Sequence, residues 1–319
     1  MKMMVRLAAR LACLLLPILL GAAPAVAKDS YQTVNGLNYF VRDSGGNGDP
    51  VLMLHGQPDD CTVWDAQVAA LSKAGYRVLC PDLVGYGKTD KPEALDRYRT
   101  ASVAADLDKM LDQLGIRQPV HVVAHDWGVA VANDLYYGFP GRVRSLALFA
   151  VGHPAEYGKE SLTFENSRWN WFILLQGHPG AAELYRANNG AFMREASLRS
   201  HPRREAVIAR LLQPGGVEAM LRWDQANPVI NFYIAANNGE LQTLPKYAVP
   251  VLGIAATGDE YLWPSQMKNT RNWVSGRFEY MEIKGGTHWM MIDHAAEVSA
   301  RLVAWLASQP PLAAGKDTK

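Results

Sequence analysis

The segment Val122-Val123-Ala124-His125-Asp126-Trp127-Gly128 constrains this chain more than any other. A run of β-favouring apolar residues stops there at a small residue and a carboxylate, and a helix-like stretch follows at once. So short a passage from strand to helix needs a sharp bend, which thrusts the residue at its tip beyond the end of the strand. Here that residue is Asp126. A hydroxyl in this place must shed a proton before it attacks. A carboxylate is already anionic at neutral pH and can displace a leaving group from tetrahedral carbon, forming an ester with the protein. Epoxides or alkyl halides are therefore expected as reactants, rather than ordinary esters.

The 319 residues, 49% of them hydrophobic, are enough to bury a large core and suit one α/β unit with an insertion. With 32 basic and 31 acidic residues the net charge is +1, which gives no field to draw nucleic acid or an anionic membrane surface. The expected partner is a small molecule. Lys2, Arg6 and Arg10, the apolar stretch from Leu11 to Ala23 and Ala25-Val26-Ala27 before Lys28 have the pattern of a cleaved export signal over residues 1–27. A periplasmic or secreted protein is expected from it. Cys13 lies within the leader. Cys61 and Cys80 either pair in an oxidising compartment or pack as two small buried hydrophobes. No Cys/His set has zinc spacing and there is no G-x-x-x-x-G-K loop, so neither metal nor nucleotide cofactor is expected.

Strand-like and helix-like segments alternate, the pattern of a mostly parallel sheet with helices on both faces. Asn38 to Arg42, Val51 to Leu54, Arg77 to Cys80, Val120 to Ala124 and Ser145 to Phe149 read as strands. Val103, Leu107, Met110, Leu111 and Leu114 recur at helical spacing, and Gly115 is a C-terminal stop. After Gly152-His153-Pro154 the chain turns helical and Trp-rich to about Leu244, an inserted helical cap. The α/β pattern resumes at Val249 to Ile254, continues in a strand from Phe278 to Ile283 and closes with an amphipathic helix from about Ala295 to Leu306. The resulting division is core over 28–152, cap over 153–245, core again over 246–308 and a loose tail over 309–319.

Reacting groups of open α/β sheets gather at the carboxyl ends of strands. Asp126, Asp259 in Thr257-Gly258-Asp259 and His288 in Gly286-Thr287-His288 each follow an expected strand. The order nucleophile, acid, histidine assigns water activation to His288 and orientation of its imidazole to Asp259. The backbone N–H groups of Gln57, in His55-Gly56-Gln57-Pro58, and of Trp127 are the expected oxyanion donors.

Together these stretches, with Trp64, Gly75-Tyr76-Arg77-Val78, Pro81-Asp82-Leu83-Val84-Gly85-Tyr86-Gly87 and Trp289, resemble the epoxide hydrolase and haloalkane dehalogenase branch of the α/β-hydrolase superfamily across nearly the whole mature chain. The resemblance implies the α/β-hydrolase fold, an Asp-His-Asp triad and a covalent alkyl-aspartate intermediate. Epoxide hydrolases of this kind hydrogen-bond the epoxide oxygen with two cap tyrosines. In this sequence Phe172 and Asp224 occupy the matching places, with Tyr233 as a substitute nine residues further on. Haloalkane dehalogenases cradle the halide with N–H donors, for which Trp127 is one match and Trp171 or Gln57 the second. The motif set and the Gly-His-Pro turn favour the epoxide, with halide release as the alternative and a non-catalytic binding protein on the same fold as the third reading. A cap rich in Trp and Leu implies an apolar pocket beneath it.

Overall fold

The computed structural model describes residues 28–161 and 163–310. The expected leader, Cys13 and most of the expected tail lie outside them. The strands are β1 (Lys28–Val34), β2 (Leu37–Asp43), β3 (Pro50–Leu54), β4 (Arg77–Pro81), β5 (Val120–His125), β6 (Val143–Phe149), β7 (Val251–Ala256) and β8 (Phe278–Ile283). They form one 8-stranded sheet in the order β1-β2-β4-β3-β5-β6-β7-β8. The pairs β1–β2 and β2–β4 are antiparallel and all others parallel.

Helices α1 (Asp65–Lys73), α2 (Thr100–Gln113) and α3 (Trp127–Gly138) connect the first strands, and α10 (Pro264–Asn269), α11 (Met290–Asp293) and α12 (Ala295–Ala307) accompany the last two. Between β6 and β7 stand α4 (Pro154–Ser161), α5 (Phe164–Gln176), α6 (Ala181–Glu195), α7 (Arg204–Leu211), α8 (Gly216–Ala226) and α9 (Val229–Asn237). Strands β3, β5 and β7 are buried along their whole length, because helices cover both faces of a parallel sheet. Their continuous apolar runs are that burial written in sequence.

Neither edge strand, β1 or β8, has such a run. β1 reads Lys-Asp-Ser-Tyr-Gln-Thr-Val and is mostly exposed, an edge strand held by its hairpin with β2. The turn is Asn35-Gly36, with φ of 48° and 81°, the two-residue turn whose backbone matches strand twist. The expected tail also begins later than Gln309. Gln309 is buried, its amide Nε2 donates to the carbonyl of Trp305 at 2.9 Å, and the carbonyl of Pro310 accepts from Arg144.

The helical insertion is tied to the core at both ends by one phenol. Tyr137 of α3 donates to the carbonyl of Pro245 at 2.9 Å, where the insertion returns, and lies 3.0 Å from Nε2 of His153, where it departs. His153 Nδ1 accepts from the N–H of Ala155 at 3.2 Å, so the proton sits on Nε2 and Tyr137 receives it. The imidazole stacks flat on Trp273 at 4.6 Å. Cys61 and Cys80 are joined as a disulfide with Cα atoms 5.7 Å apart, fastening the loop after β3 to β4.

Candidate active site

The bend after β5 is built at Asp126, whose φ of 53° and ψ of −124° suit few side chains. Two glycines make the space. A Cβ on Gly128 would lie 2.6 Å from the carbonyl oxygens of Leu54 and His55, so α3 can pack against the end of β3 only with glycine there. A Cβ on Gly56 would lie 2.3 Å from that of Asp126. The loop after β3 thereby comes close enough for the N–H of Gln57 to donate to Asp126 Oδ1 at 2.8 Å. His55 steadies the loop: its Nε2 accepts from the N–H of Leu83 at 2.9 Å, which leaves Nδ1–H to donate to the carbonyl of Gly56 at 2.9 Å.

His288 faces Asp126 from the loop after β8, with Nε2 3.5 Å from Asp126 Oδ2. On its other side Nδ1 is 2.8 Å from Oδ2 of Asp259, after β7. Asp259 Oδ1 accepts the N–H groups of Tyr261 and Leu262 at 2.8 and 3.0 Å, which fixes the carboxylate that fixes the ring. Burial by itself would lower the pKa of His288. The charge of Asp259, the nearby Asp126 carboxylate and the hydrogen bond to Asp259 outweigh that and push it up to about 10. Burial likewise works against the Asp126 anion, yet the close approach and charge of His288 hold its pKa below the ordinary carboxylate value. The resting site is thus an imidazolium between two carboxylates. His125 is buried behind it with its ring 4.5 Å from that of His288, and its Nε2 donates to the His288 carbonyl at 3.1 Å. Burial, then the charge on His288, lowers its pKa to about 3, so it stays neutral.

Asp126 and His288 line a cavity of about 540 Å³ between the sheet and the helical insertion, a volume suited to one small organic molecule. Its walls carry Phe172, Ile173, Met220 and Leu262, with the amides of Asn170 and Gln176 among them.

A family model described as the alpha/beta hydrolase fold matches residues 49–295. The chain belongs to the alpha/beta hydrolase fold family. It is 29% identical to epoxide hydrolase A of Mycobacterium tuberculosis, over 85% of this chain and 95% of that protein. It is 28% identical to an epoxide hydrolase of Caballeronia sordidicola, over 85% of this chain and 91% of the other. Among solved structures, an epoxide hydrolase from metagenomes of hot environments superposes with a TM-score of 0.75 at 23% identity, covering 88% of this chain and 99% of its own.

Of the residues this alpha/beta hydrolase marks in its sequence, Asp126, His288 and Asp259 stand in hydrogen-bonding or near hydrogen-bonding reach of one another. Gln57, Trp127, Phe172 and Asp224 also border the cavity. Two do not. Trp171 is 48% exposed and packs edge-on against Phe192, because α5 turns Phe172 inward and its neighbour outward. Tyr233 is likewise absent from the cavity wall, where α9 presents Phe232 instead. The phenol that does border the cavity on that side is Tyr157 of α4, whose ring lies 5.2 Å from that of Phe232. Three residues after the Gly-His-Pro turn, it carries no signal beyond helical phase.

Asp59 is a second residue the sequence alone does not reveal. It is buried, and its Oδ2 accepts from Nε1 of Trp289, next to the histidine of the site, at 2.8 Å. Its Oδ1 is 3.1 Å from Nε2 of His201 in the insertion, and His201 Nδ1 accepts from the N–H of Arg203 at 2.8 Å, so Nε2 is the donor. Burial would raise the pKa of Asp59. Hydrogen bonding by His201 and the nearby Arg210 guanidinium overcome it and hold the value at about 2. Such a carboxylate adds stability that is complete above its ordinary value of about 3.8 and is lost as pH falls toward 2, on the order of 2 kcal/mol. Asp59→Asn leaves one of the two N–H donors facing an amide NH2. We expect it to lower stability by about 2 kcal/mol at pH 7, with the gap to the native protein closing between pH 4 and pH 2, read by denaturant unfolding at each pH.

Proposed function

We propose that this protein is an epoxide hydrolase that converts small epoxides to vicinal diols through an ester on Asp126. The observation that carries this reading is the carboxylate at the bend, aimed into the cavity and already facing Gln57 N–H on one side and His288 on the other. Two relatives that it matches along most of their length are named epoxide hydrolases.

In the first step an Asp126 oxygen bonds to a ring carbon, the carbon–oxygen bond opens and the ring oxygen leaves as an alkoxide that must gain a proton. Alkylation neutralises Asp126. With that charge gone, two of the influences that raise the pKa of His288 vanish while burial continues to lower it. The imidazolium can then give its proton to solvent, and the neutral ring accepts one from water. The water oxygen adds to the ester carbonyl, and the resulting oxyanion lies where the N–H of Gln57 already points, with the N–H of Trp127 as the second donor of this reading. Collapse passes the remaining water proton to the departing ester oxygen, releases the diol and restores the carboxylate. Asp259 keeps Nδ1 protonated throughout, leaving Nε2 for the water.

Halide release is less well supported. It needs a second N–H donor beside Trp127. Trp171 is off the cavity, and the amide of Gln57 is engaged with Tyr86 and Asp224.

His288→Gln should still be alkylated but fail to hydrolyse the ester. Incubated with styrene oxide it is expected to accumulate a one-to-one adduct by intact mass, with steady diol production reduced by about 100-fold or more. Diol formation at the native rate in that variant would remove His288 from the reaction, and bromide release from bromoalkanes without diol formation from epoxides would replace the epoxide with the halide.

We also infer export. The basic, apolar and A-x-A succession over residues 1–27 and the Cys61–Cys80 bridge support an oxidising destination. Sequencing of the exported protein is expected to begin at Lys28, and full-length protein retained inside the cell would contradict it.

A further inference from the structure

Ring opening leaves a negative oxygen, and one buried group in the cavity is built to neutralise it. Asp224 of α8 is 4% exposed, borders the same cavity as Asp126, and hydrogen-bonds Gln57, whose Nε2 donates to its Oδ2 at 3.1 Å. The orientation of that amide is fixed from behind, because the hydroxyl of Tyr86 donates to Gln57 Oε1 at 3.1 Å. Gln57 thus holds both carboxyl groups: Asp126 by its main-chain N–H and Asp224 by its side chain.

The two carboxyl groups are not equivalent. Asp126 has His288 beside it and the main-chain N–H of Gln57 as a donor. The titratable groups that face Asp224 are Asp126 and the phenols Tyr86, Tyr157 and Tyr185, and none of them is a cation. Two carboxylates against one low-dielectric space cannot both ionise cheaply, so the one that lacks a cation keeps its proton. Burial, opposed by the Gln57 hydrogen bond and helped by the charge of Asp126, raises the pKa of Asp224 to about 8.

We propose that Asp224 is the proton donor of ring opening, passing its carboxyl proton to the epoxide oxygen as Asp126 bonds to carbon. The assignment rests on the epoxide reading. Asp126 supplies the electron pair for the new ester bond, the pair of the broken carbon–oxygen bond goes to the ring oxygen, and that oxygen takes the Asp224 proton to become the first hydroxyl. Asp224 is left as a carboxylate. The proton that the His288 imidazolium sheds before the second step restores Asp224 through solvent, one proton of the attacking water restores the imidazolium and the other goes to the departing ester oxygen, so the sum is epoxide plus water to diol. A neutral carboxylic acid is a far stronger acid than the phenol of Tyr157, which burial pushes upward, and it needs no second group to share the task.

The test is a single-turnover, rapid-quench measurement of ester formation with styrene oxide, read by intact mass, on the native enzyme, Asp224→Asn and Tyr157→Phe. Asp224→Asn should slow ester formation by about 100-fold or more. In the native enzyme the same rate should be level from pH 6 to about 7 and fall tenfold per unit above about 8, as the donor loses its proton. The phenols facing Asp224 do not titrate in that range, since each is raised above its ordinary value. If Asp224→Asn forms the ester within threefold of the native rate, or the loss falls on Tyr157→Phe instead, Asp224 is not the donor although the epoxide reading stands. Should Asp224→Asn fail to fold, the pH profile decides, and a rate that stays level to pH 9.5 overturns the assignment. Absence of both ester and diol in the native enzyme across aryl and alkyl epoxides overturns the epoxide reading, and this assignment with it.

Discussion

One carboxylate held in an unfavourable backbone conformation organises the structure around it. Asp126 sits at φ 53°, a conformation that costs on the order of 1–3 kcal/mol for a side chain with a Cβ and persists only where the surroundings impose it. They do so from three sides. Gly128 lets α3 close onto β3, Gly56 lets the loop after β3 reach the carboxylate, and His288 supplies the opposing charge. The same contacts that hold the bend aim its oxygen into the cavity, so the local strain and the proposed chemistry have one structural cause.

The insertion must be held in register with that carboxylate, because it furnishes the far wall of the cavity. Two buried polar fastenings achieve this. Tyr137 joins the departing and returning ends of the insertion to α3, and Asp59 joins His201 of the insertion to Trp289 beside the catalytic histidine of the proposal. Both use hydrogen bonds with defined direction, which fix position more narrowly than apolar contact does. Gln57 extends the principle into the cavity itself, where a single residue sets the separation of two carboxyl groups that titrate apart.

What the sequence discloses follows from which periodicities carry information. Central strands are legible because burial on both faces demands unbroken apolar runs, and Asp126 and Asp259 are legible because each stands just after such a run, whereas His288 follows the half-buried edge strand β8 and is marked by the Gly-Gly-Thr-His stretch itself. β1 lacks a run, since an edge strand meets water, and only Asn35-Gly36 betrays it. Within the insertion each residue turns about 100° from the last, so an uncertainty of one position exchanges a cavity residue for a surface one. Trp171 and Phe172 differ by that step, as do Phe232 and Tyr233. Asp59 is beyond reach of local pattern altogether, because its partners lie 142 and 230 residues away in the chain.

The central claim is that Asp126 bonds to substrate and is then released by water. A single turnover of an epoxide in heavy-oxygen water, followed by mass analysis of the peptide that contains Asp126, tests it most directly. The account predicts heavy oxygen in the Asp126 carboxylate and none in the first diol released. Label in the diol with an unlabelled Asp126 would show that water attacks the epoxide itself, and would contradict it.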